Sequence, residues 1–354
     1  MNTRAGTRHR WFVGSEGIRS GWRVLIHSLL MSGFVACTTG VLLLGVVLWM
    51  MSPAAEWKLT PWMVGWLAGL AYMTIVLVMA IVTIGSGRLL DTQGGARTVG
   101  LGGPIGLSLR QLLEGVIWGA LALAPALLIM GLGADFDVQI SAFSVSGIAN
   151  WLGISFLLVW AATAEELIFR GYAFAWLCRG SVNVGRGLAA AMGWTGKVAD
   201  AMSVHLGRAL PVAGVALLFG IVHVGNPGHT WIATLNTALA AVWLSVAFFR
   251  SGALWLPVGL HFGWNWTQGL LLGMPVSGAG SEEQSLAFSS PLRVVFEGSD
   301  WIAGGTYGVE GSIGCSVALL AATVLMAVGP VREPSARHQS LVLPDKSASL
   351  VPRE

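Results

Sequence analysis

Apolar residues along this chain run in long blocks, without the regular polar interruptions of a soluble helix or a half-buried strand. Eight blocks are bounded by polar or Gly/Pro-rich punctuation, at approximately 24–51, 62–85, 112–132, 148–173, 209–225, 231–249, 253–273 and 313–329. A hydrocarbon layer of about 30 Å needs roughly 20 apolar residues per helical crossing, and only 209–225 is notably weak on that measure. Strands of a membrane barrel would instead alternate apolar and polar residues over about ten positions. The pattern predicts an all-α fold, a polytopic transmembrane helix bundle of about eight spans. The first block is too long for the core of a secretory signal, about 7–15 residues, and reads as an uncleaved span.

Composition agrees with a membrane protein: 55% of residues are hydrophobic, 10% are charged and the mean hydropathy is +0.71. Charge placement adds an orientation, because Lys and Arg are retained on the cytoplasmic side of short loops. Of the 20 basic residues, 17 fall on one side of the eight-span scheme: five Arg before the first span, Arg88, Arg97 and Arg110 at the second loop, Arg179, Arg186, Lys197 and Arg208 at the fourth, Arg250 at the sixth, and Arg332, Arg337, Lys346 and Arg353 at the end. Lys58 and Arg293 lie opposite, among acids such as Asp135, Asp137, Glu282, Glu283, Glu297, Asp300 and Glu310. Both termini are therefore expected in the cytoplasm, in a multi-pass protein of a cell membrane, bacterial in character. The net charge of +3 reflects this topology rather than a nucleic-acid partner. The chain divides into a basic N-terminus (1–23), N-terminal helices (24–132), a second bundle carrying the polar residues (148–329) and a disordered tail (330–354). Cys37, Cys178 and Cys315 are scattered and predict no disulfide.

Ionisable groups inside a membrane are costly and usually functional or paired. Within the spans they are few: Glu165, Glu166 and Arg170 in "AEELIFRG", His223 in "FGIVH", and His261 with Asn265 in "HFGWN". His27 and Glu114 sit near span ends and read as interfacial. Residues four apart share a helix face, which pairs Glu166 with Arg170, Phe219 with His223, and His261 with Asn265. Glu165 points about 100° away from Glu166 and is left as the acid for chemistry. If the three spans meet, the groups suit amide hydrolysis by either of two routes. In one, Glu165 and His223 activate a water while His261 and Asn265 stabilise the oxyanion. In the other, Glu165, His223 and His261 hold a divalent metal such as zinc, the only cofactor this reading admits.

The ordered triple EExxxR, FxxxH and HxxxN on separate spans resembles the CAAX-protease and bacteriocin-processing family, also called the type II CAAX prenyl endopeptidases, over about residues 150–330. The resemblance implies a membrane-embedded endopeptidase with Glu165 as catalytic carboxylate, His223 its partner, His261 and Asn265 the second half of the site, and Glu166, Arg170 and Phe219 in support. Its expected partners are lipids and a peptide or protein substrate at the membrane, prenylated in the eukaryotic members. Two other classes fit part of the pattern: a proton-coupled or small-solute transporter with a Glu/His relay, and a non-catalytic scaffold whose polar residues hold helices together. The Gly-rich stretch 301–311, "WIAGGTYGVEG", also resembles the loop before the last span of bacterial members, with tight turns or a dip toward the membrane; Glu310 is either a substrate contact or, as the preferred reading, a solvated loop acid. His229 reads as a loop histidine. One conflict remains in the scheme. Glu165 falls in the inner half of its span and His223 near the outer end of 209–225, so that short span is expected to start inside the membrane or to be offset, with 181–207 as interfacial structure on the cytoplasmic side.

Overall fold

The computed structural model describes residues 13–14, 17–51, 60–90, 100–140, 144–280 and 290–329. The tail 330–354, most of the basic segment 1–23, and Lys58, Arg97, Glu282 and Glu283 lie outside the described residues. The helices are α1 Ser20–Met50, α2 Pro61–Leu90, α3 Ile105–Ala122, α4 Ala124–Gly133, α5 Val145–Arg170, α6 Tyr172–Ala191, α7 Gly196–Val222, α8 Trp231–Ser251, α9 Trp255–Trp266, the four-residue α10 Asp300–Ala303 and α11 Ile313–Val328. A π-helical turn, Thr267–Leu271, prolongs α9. Strands are minor: β1 Val13–Gly14 pairs with β2 Gly17–Ile18, and β3 Asp135–Ile140 pairs antiparallel with β4 Leu292–Glu297.

All eight apolar blocks are helical, and the architecture is the expected all-α bundle. Six helical segments are long and apolar enough to cross a membrane: Ser20–Met50, Trp62–Leu90, Ile105–Gly133, Val145–Ala191, Gly196–Val222 and Trp231–Ser251. The remaining two blocks form the shorter α9 and α11, packed among the others. Large apolar side chains face outward along the long helices, as at Val41 (70% exposed) and Ile81 (70%), which suits a lipid surround. The protein is a multi-pass membrane protein.

Local chemistry sets the helix ends. Ser144, Thr230 and Ser312 cap α5, α8 and α11, each side-chain oxygen accepting a backbone N–H of the first turn at 3.0 to 3.1 Å. Gly252, in the left-handed region at φ 65°, stops α8. The loops expected on the outer side gather at one end, where β3 pairs with β4 and Asn226 Nδ2 donates to the Ser277 carbonyl at 3.0 Å. Those expected inside gather at the other, where Leu254 N–H donates to the Gly100 carbonyl and Arg250 to the Gly329 carbonyl.

The structure gives 181–207 a definite helical form. This stretch is the turn of a long helical hairpin, α6 and α7, packed closely where Gly185 meets Ser203 and Gly207 meets Val182. At 1.5 Å per residue, α6 runs about 30 Å away from Gly171, and α7 returns about 35 Å to Phe219. The block 209–225 is thus the second half of a 27-residue helix, which restores Phe219 and His223 to the level of Arg170.

Two apolar clusters make the interior. One gathers Phe174, Phe219, Phe248 and Met79 from α2, α6, α7 and α8; the other gathers Leu123, Trp243, Leu244, Trp264 and Leu319 around α8, α9 and α11. The candidate residues lie along the seam between them. The three cysteines are free. Glu114 pairs at the surface with Arg110 at 2.6 Å, whereas His27 departs from its interfacial reading: it is buried, bonded through Nδ1 to Ser86 Oγ and stacked near Tyr172.

Candidate active site

The EExxxR spacing does what the helix geometry predicts. Arg170 Nη1 donates to both Glu166 oxygens, at 2.9 and 3.1 Å, and its Nη2 donates to the Ala241 carbonyl of α8 at 3.1 Å. Both side chains are fully buried, so each charge depends on the other for compensation. Glu166 also reaches beyond its own helix, where Oε1 accepts from His261 Nδ1 at 3.0 Å. The Glu166–Arg170 pair thereby ties α5 to α9 through the carboxylate and to α8 through the guanidinium.

That bond orients His261. With Nδ1–H given to Glu166, Nε2 is the nitrogen left for chemistry, and it faces Glu165 Oε2 at 3.8 Å. This is longer than a hydrogen bond. Glu165 Oε2 is a buried atom with no hydrogen-bond partner among the described residues, although the Glu165 side chain as a whole is 35% exposed. Glu165 therefore stands apart from the Glu166–Arg170 pair but adjoins His261, not His223.

His223 caps α7. Its Nδ1 donates to the Phe219 carbonyl at 2.7 Å, one of the last-turn carbonyls that a helix end leaves without a partner. A carbonyl only accepts, so Nδ1 carries the proton and Nε2 of the neutral ring keeps its lone pair. Part of the FxxxH spacing is thus a capping geometry. The Phe219 ring is the shared neighbour, 4.7 Å from His223 and 6.3 Å from His261 between ring centroids, and 5.2 Å from the Arg170 guanidinium.

Placement of α9 comes from glycine. Gly115 and Gly119 of α3 face Gly259 and Gly263 of α9, two GxxxG pairs, and a Cβ at Gly263 would lie 2.3 Å from the Val116 carbonyl oxygen. The two α9 glycines bracket His261 in sequence, so this backbone contact sets where the imidazole stands.

His223, His261 and Asn265 line one cavity with Phe219, Asn236, Thr237, Trp243, Leu244, Trp264, Ser277 and Glu310. Its volume of about 50 Å³ holds a few water molecules. A roomier cleft of about 310 Å³ between α4 and the β3–β4 ribbon is lined by apolar residues and glycine alone and offers no acid, base or nucleophile. Glu310 overturns its reading as a solvated acid: it is 8% exposed and receives hydrogen bonds from Gln268 Nε2 at 2.5 Å and Ser277 Oγ at 3.3 Å. In this loop burial pushes its carboxyl above the usual range, against the opposing effect of those bonds. Nothing in the spacing of 301–311 flagged it beyond the density of glycine. His229 keeps its loop role, bonded to Thr234 Oγ1 at 2.5 Å.

Among the described residues, no three His, Cys, Asp or Glu side chains are gathered to hold a metal ion. Glu165 and His261 adjoin, but His223 is turned to its own helix, so the conditional ligand set does not fit a metal as it stands and no step is routed through one. Residues 147–267, from the start of α5 through the end of α9, match the family model described as Type II CAAX prenyl endopeptidase Rce1-like.

This segment is similar to the Rce1-like type II CAAX prenyl endopeptidases.

The Rce1-like segment contains the EExxxR, FxxxH and HxxxN residues and stops short of Glu310. The match supports a membrane protease in general terms. No curated protein and no solved structure matches the chain.

Proposed function

We propose that the protein is an intramembrane endopeptidase that hydrolyses a peptide bond near the membrane surface, with Glu165 as general base. The observation that carries this reading is His261 held between two carboxylates, Nδ1 bonded to Glu166 at 3.0 Å and Nε2 facing Glu165 at 3.8 Å. A buried ion pair behind an imidazole fixes its orientation, while a separate unpaired carboxylate keeps its lone pairs for a water. The Glu165 carboxylate takes a proton from that water as its oxygen attacks the scissile carbonyl. The carbonyl electron pair moves onto oxygen and is stabilised by hydrogen bonds from the Asn265 carboxamide and from His261 Nε2–H, the ring acting as the doubly protonated imidazolium between its two carboxylates, with His223 Nε2 available to assist water activation from the wall. Collapse expels the amine, which takes the proton back from Glu165.

Support for the substrate class comes from the family, whose description names prenyl endopeptidases, and from a water-sized cavity placed inside an apolar bundle. A peptide must displace part of the wall to reach it. Prenylated and unprenylated tethered peptides are both candidate substrates, and a bacterial plasma membrane is the proposed location.

The test is cleavage of membrane-tethered peptides by the purified protein in liposomes. Glu165→Gln is expected to slow cleavage by a factor of about 100 to 10,000, the usual contribution of a general base, with an unchanged melting temperature. His261→Ala should be comparably impaired. Equal cleavage by wild type and both variants would refute the assignment. Chelator treatment runs in parallel, and activity lost to chelator and restored by added zinc would instead require Glu165, His223 and His261 to converge on a metal.

A further inference from the structure

Glu310 lies outside the family-matched segment, yet its side chain lines the same cavity as His223, His261 and Asn265. Its position is tightly built. A Cβ at Gly304 would stand 2.2 Å from the Gly308 carbonyl oxygen, one at Gly308 2.1 Å from that of Pro275, and one at Gly311 2.4 Å from that of Gly304. Only glycine allows this loop to fold so closely on itself and on the bundle. From α8, the buried Asn236 clamps it, Nδ2 donating to the carbonyls of Glu310 and Ser312 at 2.8 Å each, while Ser316 Oγ donates to Asn236 Oδ1 at 2.6 Å.

A clasp for the loop would not need a carboxyl, since an amide at 310 would hold Gln268 and Ser277 at lower desolvation cost. Among the described residues no cation pairs with Glu310. A carboxylate has about four lone-pair positions; the side chains of Gln268 and Ser277 take one on each oxygen, and the backbone N–H groups of Ser277 and Glu310 lie close without completing a bond of ordinary geometry. A second cavity residue repeats the pattern with opposite sign: Trp243, 3% exposed, buries an indole Nε1–H that has no acceptor among the described residues. One wall thus carries a surplus acceptor and a surplus donor, beside the imidazoles.

A peptide drawn into a membrane bundle loses water from its N–H and C=O groups, and each then needs a partner from the protein. We propose that Glu310 and Trp243 form a subsite for the backbone of the peptide substrate, the carboxyl accepting a substrate amide N–H and the indole N–H donating to a substrate carbonyl. This rests on the proteolytic reading above and deepens it: recognition here is of the main chain, not of a side chain or a prenyl group. Glu310 and Trp243 are binding residues and take no part in the proton transfers.

The experiment measures KM and kcat for a tethered peptide with wild type, Glu310→Gln, Glu310→Ala and Trp243→Phe, and Kd for the same peptide in a Glu165→Gln background. Melting temperatures verify the fold of each. Glu310→Gln is expected to raise KM and Kd about tenfold with kcat changed by less than about threefold, as for loss of one charge-assisted hydrogen bond, and Trp243→Phe to act in the same direction. Methylation of substrate amide nitrogens one at a time should find one position whose cost equals that of Glu310→Gln and adds nothing to it, a coincidence that a purely structural role would not produce. Unchanged KM and Kd in folded Glu310→Gln and Trp243→Phe, with cleavage still lost in Glu165→Gln, would remove the subsite and leave the proteolytic reading standing. A wild type that cleaves no tethered peptide would overturn both.

Discussion

At the scale of single residues, the structure divides the labour of three neighbouring charges. Glu166 and Arg170 neutralise one another at full burial, and Glu166 spends its remaining acceptor capacity on His261. Arg170→Met should strand the Glu166 charge inside the bundle and lower stability by about 3 to 5 kcal/mol, read from thermal melts in detergent. Glu165→Gln, at a half-exposed position, should melt within about 0.5 kcal/mol of wild type. If both variants melt alike, the partition between pair and base is wrong. Glu310 supplies a pH signature. Its folded carboxyl is raised above the ordinary value of 4.5 by burial, so its contribution to stability is complete below that value and is lost as pH rises through the raised folded pKa. Wild type should therefore lose melting temperature relative to Glu310→Gln as pH increases from about 4.5, and a pH-independent difference would contradict the shift. Sequence spacing identified the Glu166–Arg170 pair and the leftover Glu165, because both follow from the 3.6-residue helical period. It could not identify the His261–Glu166 bond, which joins residues 95 apart.

At the scale of elements, helix existence was legible and helix extent was not. Block 209–225 is bounded by charge at Arg208, which looks like a membrane edge, yet α7 continues from Gly196 because its first half packs on α6 through Gly185 and Gly207. The same packing logic positions the site. "GVIWG" at 115–119 and "GLHFG" at 259–263 are small-residue motifs readable in the sequence, but their meeting, with backbone closer than a methyl group permits, is a tertiary event. Gly263→Ala should force α9 off α3, costing about 1 to 3 kcal/mol by overpacking and lowering cleavage through displaced His261 and Asn265. Gly106→Ala, at a glycine of α3 with open space around it, is the control and should change neither. A harmless Gly263→Ala would show that the α3–α9 contact does not set the imidazole.

At the scale of the whole molecule, the loops sort into two groups at opposite ends of the bundle, and the retention of basic residues inside predicts which end is cytoplasmic. In a background without native cysteines, a cysteine at Gln139, on the exposed β3 strand, should react with an impermeant maleimide from outside intact cells; one at Arg186 should react only after permeabilisation. The reverse labelling would invert the scheme. What the chain determined by itself was everything carried by local pattern: apolar length made the membrane helices, charge asymmetry indicated the orientation, and i,i+4 spacing nominated Glu165, Glu166, Arg170, His223, His261 and Asn265. Tertiary structure alone decided which nitrogen meets which oxygen. The seam between two apolar clusters brings His261 to the two glutamates, turns His223 onto the Phe219 carbonyl, and draws Glu310 from a loop into the cavity wall. Those contacts depend on backbones approaching across glycine and on buried polar groups seeking partners once water is gone, and neither is a property of spacing along one segment.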